Sequence, residues 1–231
     1  MACMPVPGDQ SHVIDRRAGA NGELLLRRAG DHLEIISNGV FLMDTRNGES
    51  ERLLARAALD ATGRPARMLI GGLGVGFTLA EAVRHPHART VVVAEKEPAV
   101  VGWHATHLRP YSAGALDDPR VRVICADVLD LLRDPGERYD TVCLDTDNGP
   151  DWTVTETNAS LYTDEGLKLL AERLSPGGVA AFWSAHASPA FQARLRAHFP
   201  ETWSFDVPVP RGVPDVVYLA RAAAADSGDR S

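Results

Sequence analysis

The segment Arg67-Met-Leu-Ile-Gly71-Gly72-Leu73-Gly74-Val75-Gly76 decides the fold. An apolar run that stops at a glycine cluster reads as a buried strand turning tightly into a helix. Downstream the same alternation repeats. Apolar runs at Thr90–Ala94, Val121–Cys125, Thr141–Leu144 and Val179–Trp183 are separated by helical stretches at Thr78–Arg84, Pro98–His107, Val128–Arg133 and Asp164–Leu174. Near-continuous apolar strands alternating with helices imply a parallel sheet covered on both faces. A further amphipathic stretch, Pro189–Phe199, precedes Ser204–Val209 and Val216–Ala220, which are joined by a Pro- and Gly-containing turn. That pair predicts an antiparallel hairpin at the sheet edge. The expected fold is α/β: a doubly wound, mostly parallel sheet of seven strands.

Upstream, Glu23–Arg28, His32–Ser37 and Val40–Asp44 read as strands. Asn38-Gly39 between the last two is a strong hairpin signal, because both residues tolerate positive φ. We expect a three-stranded meander preceded by a loose arm over residues 1–20. A helix from Glu49 to about Leu59 follows. The predicted organisation is therefore an N-terminal arm, meander and linking helix over 1–62, the main domain over 63–222, and a frayed tail over 223–231.

The chain has 231 residues, enough to bury a core without staples. Its 45% apolar and 24% charged composition excludes a largely disordered, collagen-like or coiled-coil chain. No apolar run approaches the ~20 residues of a membrane helix, and Met1–Gln10 does not read as a secretory signal. Cys3, Cys125 and Cys143 are too scattered for a disulfide framework or zinc cluster, and Cys125 and Cys143 read as small hydrophobes within apolar runs. A reducing cytoplasm is the expected compartment. The net charge of −7 argues against nucleic acid as a partner. The acidity is local, with eleven acids against two bases in residues 127–165.

Ligands of doubly wound sheets sit outside the carboxyl ends of the strands. Gly72, Gly74 and Gly76 fit Gly-x-Gly-x-Gly; the dinucleotide spacing fails because Phe77 stands where its third glycine belongs. The observed spacing suits an adenosine–amino acid ligand, with Gly71 beside it. Glu95, at the end of the second strand, is placed to accept hydrogen bonds from ribose hydroxyls. Glu97 instead favours the next helix N-terminus. Asp127, before Val128, reads either as an acceptor for an adenine amino group or as a helix N-cap, and both can hold. Asp145 and Asp147 end the fourth strand, in a turn-rich loop where paired carboxylates suggest catalysis. Trp152 and Tyr162 are candidates for the acceptor pocket, with packing as the alternative. His186 lies near the expected pocket mouth, and Ser184 has no partner for a hydrolase triad. His104 and His107 have no evident third ligand and read as helix-surface residues, so no metal is expected.

Taken together, the glycine loop, Glu95, Asp127 and Asp145 on successive strand ends resemble the Rossmann-like class I S-adenosylmethionine-dependent fold, and within it the spermidine synthase (aminopropyltransferase) family. The resemblance covers residues 22–220. Ile70–Gly76 is similar to the family's glycine motif, Ala94–Glu97 to its ribose segment, and Ala126-Asp127 to its adenine segment. Tyr139–Asp145 resembles the strand carrying its catalytic aspartate. Leu161–Glu165 and Leu174–Gly178 resemble the segments that follow. The resemblance implies a homodimer. This chain departs from the family at Gly74, where the family has an aspartate for the ammonium of decarboxylated S-adenosylmethionine. Asp145-Thr-Asp147-Asn-Gly-Pro also departs from its catalytic loop. Residues 48–58 contain none of the tyrosine, histidine or glutamine that the family's N-terminal half supplies.

An aspartate at 74 would repel the carboxylate of ordinary S-adenosylmethionine, whereas exposed glycine amides would accept it. Its absence predicts ordinary S-adenosylmethionine as the cofactor. The expected function is a transferase acting on a small amine-bearing acceptor, with methyl transfer ranked first and Asp145, assisted by Asp147, orienting or deprotonating the amine. Second comes aminopropyl or 3-amino-3-carboxypropyl transfer, or cyclisation of the cofactor tail, with release of methylthioadenosine. A nicotinamide-dependent oxidoreductase and a non-catalytic nucleoside sensor are the remaining alternatives.

Overall fold

The computed structural model describes residues 11–136, 138–153, 156–210 and 212–225. Residues 1–10 of the arm expected over 1–20, with Cys3, and residues 226–231 of the tail expected over 223–231 lie outside the described residues.

The main sheet has seven strands: β5 (Ala66–Gly71), β6 (Ala88–Ala94), β7 (Val121–Ile124), β8 (Tyr139–Leu144), β9 (Leu174–Ser184), β10 (Glu201–Val207) and β11 (Asp215–Arg221). Their order is β10-β11-β9-β8-β5-β6-β7. The strands β7, β6, β5, β8 and β9 are parallel neighbours, and β10 and β11 form the expected antiparallel hairpin against β9. The chain winds outward from β5 through β6 to β7, then crosses to β8 on the other side. The switch point therefore lies between β5 and β8, where such sheets bind ligands. Pairing aligns Gly71 with both Leu144 and Ala94, and Ala94 with Ile124. Gly72, Asp145 and Glu95 each follow directly after these aligned residues, so they emerge at one level.

Helices α2 (Phe77–Arg84), α3 (Pro98–Trp103), α4 (Val128–Arg133), α5 (Asp164–Arg173) and α6 (Pro189–His198) connect the strands. The linking helix α1 (Glu49–Thr62) ends at Gly63 in the left-handed region. It packs on α2, β8, β9 and β11, so it joins the helical layer of the main domain rather than the N-terminal unit. Its Leu54, Ala55, Ala58 and Leu59 are buried in one core with Met68, Ile70 and Cys143. Cys125, by contrast, is exposed just beyond β7 rather than packed within it.

The N-terminal sheet has four strands, not three: β1 (His12–Gly19), β2 (Gly22–Ala29), β3 (His32–Ser37) and β4 (Val40–Asp44), in sequential order. β1 corrects the expected loose arm. It is a charged edge strand with no buried residue, so it lacks the apolar alternation that marks a strand in sequence. The buried face of β2 and β3 (Leu24, Leu26, Leu33, Ile35) joins the core of the main domain. Among the described residues, no helix is long and apolar enough to cross a membrane.

Candidate active site

A single cavity spans the carboxyl ends of β5, β6, β7 and β8, roofed by the N-terminal sheet through Leu24, Ile35, Leu42 and Met43. Its floor is set by backbone pairing. Gly72 N–H donates to Ala94 O (2.9 Å), Asp145 N–H to Gly71 O (2.9 Å), and Glu95 N–H to Ile124 O (3.1 Å). Gly72 has φ +91°, and a Cβ there would lie 2.1 Å from the Asp145 carbonyl oxygen. Only glycine lets the β5 and β8 ends approach this closely.

Of the expected glycines, Gly72 and Gly74 line the cavity. Gly71 packs on Leu144 and Val128, and Gly76 on Ser112 and His104. A side chain at Gly74 would meet Met43 Sδ at 2.3 Å, so the roof closes onto the loop there. His104 corrects the helix-surface expectation. It is 2% exposed and its Nε2–H donates to Gly74 O (2.9 Å), with the ring held neutral because burial lowers its pKa. The loop amides are also occupied. Leu73 N–H donates to Glu95 Oε2 (2.9 Å), the Gly74 amide contributes to the same carboxylate, and Gly76 N–H donates to Leu73 O (2.9 Å). The expectation of exposed amides awaiting a ligand carboxylate is therefore not met.

Glu95 lines the cavity, and its Oε1 accepts from Glu97 N–H (2.8 Å). Burial raises its pKa, against the opposing amides. Glu97 does not cap α3 with its side chain; it accepts from Ala20 N–H (2.9 Å). Asp127 and Val128 line the same end, and Asp127 caps α4 by accepting from Leu129 N–H (2.9 Å).

At the other end, Asp145 is deep among protein atoms yet open to the cavity. Its Oδ2 accepts from Thr78 Oγ1–H (2.8 Å). Burial first, and Asp215 second, push its pKa up to about 6 against the Thr78 hydrogen bond. Asp147 accepts from Asn158 Nδ2–H (2.9 Å), which also donates to Thr146 O (3.2 Å). Asn158, on a 3₁₀ turn at Glu156–Tyr162, is 4% exposed and ties the loop after β8 in place. Trp152 is 56% exposed and is not part of the cavity wall. Tyr162 is not on that wall either; it is buried against Phe182 and Phe191 with its hydroxyl near Thr146. His186 faces Asp151 at the surface (3.6 Å), and Ser184 donates to the His186 carbonyl (2.6 Å).

Sequence reasoning missed Glu51. It lies in the first turn of α1 and lines the cavity beside Asp145. Burial first, then Asp145, push its pKa up to about 7. An acid there reads in sequence as a partner of the helix dipole; only the fold brings it to β8. This raised pair has a consequence for stability. In the unfolded chain both carboxyls ionise near pH 4, whereas in the folded chain they hold protons to about pH 6 and 7. Stability should therefore fall as pH rises through that interval. Glu51→Gln should remove much of the cost, raising Tm at pH 8 by roughly 2–8 °C (about 1–2 kcal/mol) and changing it little below pH 4. Thermal melts across pH 4–8 would check this, and a lower Tm at pH 8 would count against it.

The matched family model, the spermine/spermidine synthase domain, covers residues 49–195. A polyamine aminopropyltransferase of Mycobacterium tuberculosis is 34% identical over 172 residues, covering 72% of this chain and 32% of the relative. Polyamine aminopropyltransferase 2 of Pseudomonas aeruginosa is 32% identical over 169 residues, covering 68% and 46%. The chain thus spans less than half the length of these two relatives. The crystal structure of spermidine synthase from Thermotoga maritima superposes with a TM-score of 0.72 at 20% identity, covering 90% of this chain and 72% of that one, which establishes the shared fold. With the domain match extending over most of the chain, from the first turn of α1 through the loop after β8 to α6, this protein belongs to the spermine/spermidine synthase domain family.

Proposed function

We propose that this protein transfers an aminopropyl group from decarboxylated S-adenosylmethionine to a primary amine of a small cationic acceptor. This reverses the ranking drawn from sequence, where methyl transfer stood first. The aminopropyltransferase names of the relatives support the reading. The observation that carries it is the acidity of the cavity end beside β8, where Glu51, Asp145 and Asp147 line one wall. Position 74 alone does not set the preference. Even with glycine there, that end suits an ammonium and opposes a carboxylate.

The residues present fit the group. Glu95 and Asp127 would hold the ribose and adenine, and the acidic end would hold the tail's ammonium. When bound, the sulfonium activates its attached carbon, so that the C–S bond breaks as the amine's N–C bond forms and methylthioadenosine leaves. This chain's part is to align the amine and take its proton. With its pKa raised to about 6, Asp145 is a better base near neutral pH than an ordinary aspartate. The Thr78 hydrogen bond fixes its carboxylate, and Asn158 fixes Asp147.

Mass spectrometry of the purified chain with decarboxylated S-adenosylmethionine and a set of diamines tests this. The expected result is methylthioadenosine together with an aminopropylated amine. S-adenosylhomocysteine from ordinary S-adenosylmethionine, with no methylthioadenosine from either form, would restore methyl transfer.

A further inference from the structure

Ser50 Oγ lies 2.9 Å from Glu51 Oε2 and 2.7 Å from Asp215 Oδ2. A serine hydroxyl has one proton to donate, and an ionised carboxylate only accepts. Both contacts are satisfied when one of the two carboxyls carries a proton and donates it to Ser50. A second hydroxyl lies next door, between one carboxylate and a backbone carbonyl, and needs no extra proton. Thr78 Oγ1 donates to Asp145 Oδ2 (2.8 Å) and lies 3.3 Å from the Glu51 carbonyl oxygen. Glu51 of α1 and Asp215 of β11 thus share the Ser50 hydroxyl, and Asp145 at the end of β8 holds the Thr78 hydroxyl beside them.

Among the described residues, the groups packed around them bring no paired cation. From α1, the Arg52 guanidinium stacks over the Phe77 ring at 4.3 Å. From β8, the buried Cys143 thiol faces the Leu54 carbonyl, with its pKa pushed up by burial. From β9, Trp183 lines the same cavity, and its indole Nε1 is buried without a hydrogen-bond partner. Asp147 adds a further acid to the wall. Among the described residues, no Lys or Arg forms an ion pair with Glu51, Asp145 or Asp215. Lys96, the cation on the cavity wall, directly follows Glu95. Nearby, Tyr162 is 2% exposed, and its hydroxyl, like that of Thr146, lacks a well-formed hydrogen bond.

We propose that Glu51, coupled to Asp145 and through Ser50 to Asp215, is the acceptor-specificity residue of this cavity, and that it trades a shared proton for the acceptor's ammonium. The inference rests on the proposed amine acceptor and deepens it. An acceptor ammonium at Glu51 stabilises the ionised pair, so binding expels the proton that the empty cluster retains. Binding therefore strengthens as pH rises, and singly charged amines bind less well than diamines, whose second ammonium meets the remaining carboxylates. The raised acidity constants of Glu51 and Asp145 place the proton release near neutral pH.

The test is calorimetry of 1,4-diaminobutane with the full chain, in two buffers of different ionisation enthalpy, between pH 6 and 8. The expected result is release of a substantial fraction of a proton per diamine near pH 6.5, and affinity rising about tenfold from pH 6 to 8. Glu51→Gln should weaken binding at least tenfold and reduce the proton release. Glu51→Asp should restore part of both. Because wild-type proton release is measured directly, the test does not depend on how a variant folds. Proton uptake, no proton exchange, no diamine binding, or unchanged affinity in Glu51→Gln would each overturn the inference. Methylthioadenosine production separates the two readings. Turnover with pH-independent acceptor binding sinks the inference alone, whereas diamine binding with proton release but no turnover sinks the transfer reading alone.

Discussion

Replacing Asp145 with Asn should lower kcat by about a hundred- to ten-thousandfold, the range for a lost positioned base. The substitution is close to isosteric, and an Asn amide oxygen still accepts the Thr78 hydrogen bond. What disappears is charge and basicity at the carboxyl end of β8. The same change removes a buried negative charge from a cluster that already holds Glu51 and Asp215. The folded Asp145→Asn variant should therefore melt no lower than wild type at pH 8, which separates lost catalysis from lost folding. Steady-state kinetics with decarboxylated S-adenosylmethionine and 1,4-diaminobutane, paired with melts, would check both. A kcat within threefold of wild type would remove Asp145 as the base and move the assignment to Asp147 or to solvent.

The parts of this site legible in sequence are those that one strand end determines by itself. β5, β6 and β8 are buried on both faces, so they read as apolar runs, and the residue after each run is placed by the fold. Glu95 and Asp145 were found this way, and Gly72 by the turn that follows β5. Asp127 serves as the N-cap and also lines the cavity, so the two readings left open for it do not compete. The illegible parts depend on contacts between distant segments. Glu51 reaches Asp145 only because α1 lies across β8 and β9, and Met43 reaches Gly74 only because the N-terminal sheet roofs the cavity. His104 carries no periodic signal that would place it under the glycine loop. Trp152 failed in the opposite direction. Its aromatic character and position after Asp151 suggested a pocket wall, yet the loop turns it outward.

Decarboxylated S-adenosylmethionine should bind at least a hundredfold more tightly than ordinary S-adenosylmethionine, a difference of about 3 kcal/mol. The two share the nucleoside and the sulfonium and differ by one carboxylate on the tail. Glu95 and Asp127 fix the nucleoside end, and the reacting carbon must lie within reach of the amine that Asp145 serves, so the tail is directed to the acidic end. There an added carboxylate faces Glu51, Asp145 and Asp147, and like charges juxtaposed in a partly dry site cost several kcal/mol. The glycine loop offers little relief, because the Leu73 and Gly74 amides already face Glu95. Lys96 is the one lining cation among the described residues, and its buried Nζ has no hydrogen-bond partner, so it is the competing site for a tail carboxylate. Competitive binding of the two nucleosides to wild type and to Lys96→Met would decide the matter. Equal affinities in wild type would overturn the prediction, and a preference for the ordinary form that disappears in Lys96→Met would show that Lys96 captures the carboxylate and would return the cofactor assignment to the one first read from Gly74.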